Sequence, residues 1–314
     1  MASSFRKQFL FQMHLNRAKL LHAMVGMNAN QLEQPLWDDY STRRVLPHIA
    51  LWEGFEAQRL RLLIDGRLDE ISWTPVDERN AAWHAQSAEI SIDGSIAMLQ
   101  KERNGLLNVL ADAPDKLLQS TVKLGGDFEL PVMKVVSNSI EHDEDHARDI
   151  EAWRQANDAE KTSVGPRSIL VAQLRATRNT LRSLFELIAG KALQIDNWTP
   201  TEVLAHIVGW EKLLLQTLES NVLPGGEVDS TNQQFVDEHG DNSVDELMGL
   251  FTTCRKAVIN AVEKMSDAQL AGGFENRPNY PVYRMIALGP AHDLEHIQEL
   301  YTAWLIETRV KKAK

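Results

Sequence analysis

The chain of 314 residues is short of cysteine, of basic charge and of long apolar runs. Its one cysteine, Cys254, cannot form an internal disulfide or a CxxC zinc site. A reducing compartment is therefore expected. Lys and Arg number 33 against 44 Asp and Glu, a formal net charge of −11. That balance argues against a non-specific nucleic-acid binder, which needs a basic face to neutralise phosphates. No run of about 18 apolar residues occurs, so neither a membrane span nor a membrane partner is expected. The N-terminal stretch MASSFRKQFLFQMHLNRAKLLHAM is interrupted early by polar residues and lacks the unbroken apolar core of a signal peptide. The expected location is cytoplasmic. Alternation of the strand type is also scarce, apart from short extended pieces near 121–130.

Hydrophobic residues make up 43% and charged residues 25% of the chain, enough apolar material for a sizeable core. The length suggests two domains or one large one. Leu10, Met13, Leu20, Leu21 and Met24 fall at three-, four- and seven-residue steps, which predicts a helix over about 5–28. Further helices are predicted over 41–65, capped by Ser41, over 80–111 with a break near Gly94, and from Pro131 to 156. The polar segment 157–167 carries a Gly-Pro break and reads as a linker. Helices are predicted again over 168–190, 199–218, 243–265 and 281–308. The expected fold is all-α, with one four-helix bundle in 1–156 and a second in 168–314.

The two sets of helices share sequence. VLPHIALWE (45–53) and VLAHIVGWE (203–211) agree at six of nine positions, 158 residues apart. At the same spacing Tyr40 aligns with Trp198, Ser41 with Thr199 and Arg17 with Arg175. HDEDH (142–146) and HDLEH (292–296) match 150 residues apart, and Asn80 aligns with Asn232 at 152. These drifts fall between helices, where loops absorb insertions. The pattern reads as a tandem duplication forming an intramolecular pseudo-dimer.

Six of the ten histidines occupy matched positions: His48, His142 and His146, then His206, His292 and His296. Residues four apart share a helix face, so the His142/His146 and His292/His296 pairs can each face one metal ion. A third imidazole from a neighbouring helix would leave an open coordination position, the pattern of a catalytic rather than a structural site. His14, His22, His84 and His239 have no repeat partner and read as surface or packing residues. Trp52 and Trp210 follow their histidines by one turn and read as core residues or pocket walls. Glu53 and Glu211 read as outer partners or solvated residues, and Asp143 and Asp293 lie on another face. Asn80 and Asn232 read as pocket groups or helix caps. Pro47 and Gly289-Pro290 lie close enough to His48 and His292 to re-aim them. Glu-x-x-His is missing from these helices, which argues against a ferritin-like dimetal site.

The motif aromatic–Ser/Thr–x–x–x–Val-Leu-x-His-Ile, followed by His-Asp-x-x-His, resembles the DinB/YfiT-like superfamily. The resemblance covers nearly the whole chain as two tandem units. It implies four-helix bundles in which one helix-2 histidine and two helix-4 histidines bind a divalent metal, usually nickel, zinc or iron. On this sequence the metal ligands would be His48, His142 and His146 in one unit and His206, His292 and His296 in the other. The resemblance also implies a metal-dependent enzyme of the thiol-dependent S-transferase, isomerase or hydrolase type. Its partner would be a small-molecule substrate, such as a low-molecular-weight thiol. A metal- or ligand-binding module without turnover is the alternative, and a pocket opening onto the metal would separate the two.

Overall fold

The computed structural model describes residues 3–71, 75–123, 129–157 and 164–312, with side chains to residue 309. Helices dominate, as the 3.6-residue periodicity predicts. The first half holds α1 (Ser4–Met24), α2 (Ala29–Glu33), α3 (Thr42–Ile64), α4 (Val76–Gln86), α5 (Ile92–Asp112), α6 (Asp115–Leu118) and α7 (Val132–Ala156). The second half holds α8 (Arg167–Ile188), α9 (Pro200–Ser220), α10 (Val228–His239), α11 (Val244–Lys264), α12 (Asp267–Ala271) and α13 (Val282–Lys312). Three antiparallel hairpins join them: β1 (Pro35–Trp37) with β2 (Tyr40–Ser41), β3 (Thr121–Lys123) with β4 (Glu129–Pro131), and β5 (Gly273–Phe274) with β6 (Arg277–Pro281). Most of the expected linker, 158–163, lies outside the described residues.

Local chemistry sets several of the helix starts. Thr199 and Ser243 each accept the N3 backbone N–H, while Glu202 and Glu246 reach back to the capping residue. These reciprocal bonds satisfy donors that the first turn leaves free. Ser41 stands at the same place before α3, but its buried hydroxyl makes no capping bond. The predicted third helix is two helices, α4 and α5, broken at 87–91 just ahead of Gly94. Ser91 caps the restart by accepting the Gly94 N–H at 3.2 Å. Pro131 and Pro281 end β4 and β6 rather than opening the helices that follow. Asp38 and Asp196, 158 positions apart, both adopt left-handed φ (42° and 51°) in the turns leading to α3 and α9.

In the first half α3 packs on α5 and α7, and α1 on α7; in the second, α9 packs on α11 and α13, and α8 on the same two. The halves meet where α1 and α8 pack side by side. One buried apolar cluster crosses this seam, joining Leu20, Met24 and Ile49 to Ile169, Leu174 and Ile286. The Gly26 N–H donates to the Tyr283 hydroxyl at 3.1 Å, tying the end of α1 to α13. No described helix is long and apolar enough to cross a membrane.

Candidate metal centres

The six matched histidines come together in two groups of three, one in each half. α3 supplies His48 and α7 supplies His142 and His146; α9 supplies His206 and α13 supplies His292 and His296. In each group one nitrogen per ring lies within 4.8 Å of the other two. The Nε2 atoms of His48 and His142 are 3.0 Å apart. Those of His206 and His292 are 2.8 Å apart, and that of His296 is 3.1 Å from His292. The two groups do not exchange members across the halves. Pro47 and Pro290 lie buried inside continuous helices, and neither prevents its histidine from converging with the others.

The state of the rings follows from their surroundings. Burial, and then His142 and His146, push His48 down to about 3; burial, and then His292 and His296, push His206 down to about 3. Burial holds His142 and His292 at about 4. These rings are therefore neutral at pH 7 and carry lone pairs. His146 Nδ1 lies 3.0 Å from Asp149 Oδ2, and His296 Nδ1 lies 2.8 Å from Glu299 Oε2. A carboxylate at Nδ1 keeps the proton there and leaves Nε2 as an acceptor. His146 Nε2 is buried with no hydrogen-bond partner in its group. Three convergent imidazoles, with a lone pair orphaned at His146 in the first group, suit a divalent ion of borderline softness, as nickel, zinc and iron are.

Beneath each group lies a buried ion-pair network. Arg17 donates to Asp143 (3.1 Å) and Glu53 (2.8 Å), and Arg103 donates to the same two carboxylates at 2.6 Å. In the second half Arg255 alone does this. Its Nε and Nη2 reach Glu211 at 2.7 Å each, and Nη2 reaches Asp293 at 2.8 Å. Each network pins the helix carrying the histidine pair to the helix carrying the third histidine. Burial alone would raise Asp143, but Arg103 and Arg17 outweigh it and hold it below the usual carboxylate range. Two acids share one arginine in the second half, and burial there raises Glu211. Glu53 and Glu211 are thus buried partners of the arginines outside the histidine groups, not solvated residues. Asp143 and Asp293 lie one residue from a histidine and anchor it to the scaffold.

A cavity opens onto each group. The first, about 300 Å³, is lined by His48, Trp52, Asn80 and His142. The second, about 320 Å³, is lined by Trp210, Leu214 and His292. Trp52 and Trp210 are half-buried pocket walls rather than core residues. Each indole N–H donates to a matched asparagine, Trp52 to Asn80 at 3.0 Å and Trp210 to Asn232 at 2.9 Å. The asparagines therefore orient the tryptophans and do not cap helices. Cys254 is half-buried on α11, outside both groups, and burial raises its thiol.

Sequence reasoning missed several of these residues. Arg103 and Arg255 lie 152 positions apart, the spacing already shown by Asn80 and Asn232. Asp149 and Glu299 keep the 150-residue spacing of the histidine pairs, three residues past the second histidine. Arg17 aligned with Arg175, yet Arg175 pairs at the surface with Glu263. Trp37, which stacks on His146 with centroids 5.4 Å apart, aligns with Ile195 and so left no repeat signal. In a comparison with protein-family models, residues 169–300 match the DinB superfamily. Neither the curated proteins nor the solved structures compared with the chain give a match.

Proposed function

Residues 169–300 belong to the DinB superfamily, and from that premise we propose that the protein is a divalent-metal-dependent enzyme with a three-histidine site in each half. His48, His142 and His146 would hold one ion, and His206, His292 and His296 the other. We read the halves as tandem copies of one four-helix unit, 1–156 and 168–314, joined by 157–167. The matched helices, the shared φ at Asp38 and Asp196, and the repeated Trp–Asn bonds support that reading. A divalent ion on three imidazoles supplies Lewis acidity at an open coordination position. The protein's own residues do the rest. Asp149 and Glu299 fix the tautomers of His146 and His296, the arginine networks hold the helices in register, and the tryptophans wall the pockets. The substrate would be a small molecule seated in a pocket, with a low-molecular-weight thiol as the co-substrate that the family's chemistry suggests.

The observation that carries this reading is the convergence of each histidine group beside an open cavity, lined by His48 and His142 in one half and by His292 in the other. A sealed bundle would have favoured a binding module without turnover; pockets of this size fit a small ligand. Elemental analysis of the purified chain tests it. About two ions per chain are expected, falling to about one in His48→Ala and to about one in His206→Ala, since losing one of three ligands abolishes tight binding. A wild-type chain that takes up no metal on titration overturns the reading.

A further inference from the structure

The two pockets are built alike around their histidines but are lined by opposite chemistry. Aligned by the spacings of the repeat, Glu56 corresponds to Leu214, Asn138 to Leu288, Ser139 to Gly289 and Glu141 to Ala291. All four members of the first set line the first pocket, and all four of the second line the second. Four polar groups have become four apolar ones at the same stations, while the histidine and the tryptophan of each wall are kept. Met285 and Ile207 extend the apolar wall of the second pocket, and Leu288 is 51% exposed at its mouth. Three carboxylates reach this wall: Arg255 engages Glu211 and Asp293, and Glu295 stands exposed at the station matching Asp145. The first pocket adds Asn80 to its acceptors, and among the described residues no lysine or arginine lines it.

We infer that the two sites take different ligands: the first a polar molecule bearing a hydrogen-bond-donating amine, the second a molecule with an apolar chain. The inference rests on the metal reading above and assigns a substrate class to each of its sites. Glu56 is the selecting group of the first pocket. It lies two turns along α3 from His48 and is 2% exposed, with Arg59 Nη1 3.3 Å from both its oxygens. Burial pushes its carboxyl up to about 7, so an ammonium group arriving beside it favours the ionised form. Arg59 and Asn138 also bond this carboxyl, and an alkyl chain beside them would leave the buried Ser139 hydroxyl unpaired, a cost that polar sites use to reject apolar ligands. Leu214 and Leu288 reverse that preference, since an amine in the second pocket would lose its water with no acceptor offered at those stations.

The test uses two probes that share a metal-binding head, hexanohydroxamic acid and 6-aminohexanohydroxamic acid. They are titrated into the Co(II)-loaded full chain carrying either His206→Ala with His292→Ala or His48→Ala with His142→Ala, so that one site remains. Ligand-field absorption reports both metal occupancy and probe binding. The amine probe is expected to bind about tenfold tighter than the alkyl probe when the first site remains, and about tenfold weaker when the second remains. Glu56→Gln is expected to erase most of the first preference. Ligand-field bands present in both variants, but with the same probe preferred at both sites, overturn this inference and leave the metal reading standing. Absence of those bands in both variants overturns the metal reading and the inference with it.

Discussion

At the scale of the residue, the division of labour among three arginines separates the two halves. Arg17 and Arg103 together balance Glu53 and Asp143, whereas Arg255, fully buried, faces Glu211 and Asp293 alone. Arg255 also donates to the Leu174 carbonyl at 3.2 Å and to the Thr177 hydroxyl at 2.9 Å. Removing it strands two acids out of water, and stranded buried charges cost several kcal/mol. Arg255→Met is expected to lower unfolding free energy by about 3–5 kcal/mol in urea titrations. Arg17→Met is expected to cost less, because Arg103 still reaches both Glu53 and Asp143. Equal losses for the two variants would contradict this account of the networks.

At the scale of the element, the helix starts show what a sequence can and cannot say about capping. Ser41 and Thr199 align, and both look like N-caps, yet only Thr199 makes the reciprocal bonds with a glutamate three residues on. The difference is legible in hindsight: at the 158-residue spacing Arg44 stands where Glu202 stands in the matched segment, so no capping box can form at Ser41. Ser243→Ala is expected to cost about 1 kcal/mol in the same unfolding assay. Ser41→Ala, whose hydroxyl caps nothing, is expected to stay within about 0.5 kcal/mol. A larger loss at Ser41 than at Ser243 would sink that reading. The eight long helices were legible because each repeats an apolar stripe over five or more turns. The short α10 was not, since it spans only 12 residues and Val236 is its one buried residue. The six clustered histidines were legible because matched segments carry them at both places in the sequence. The arginine partners were not read, because a lone basic residue inside a helix resembles any solvated one until its acids are seen around it.

At the scale of the whole molecule, the pairing of α1 with α8 and the apolar cluster across the seam make the two halves one packed body. The net charge of −11 sits on a chain whose two candidate sites are histidine groups held by buried ion-pair networks. The halves thus share a frame and a histidine geometry while their pockets diverge at Glu56/Leu214, Asn138/Leu288, Ser139/Gly289 and Glu141/Ala291. The central claim is that each histidine group holds a divalent ion, and anomalous diffraction at the metal absorption edges of crystals of the purified chain tests it most directly. The account predicts two peaks, one among His48, His142 and His146 and one among His206, His292 and His296. Metal peaks confined to other side chains, or no peak at either group after soaking with nickel, zinc or iron salts, would contradict it.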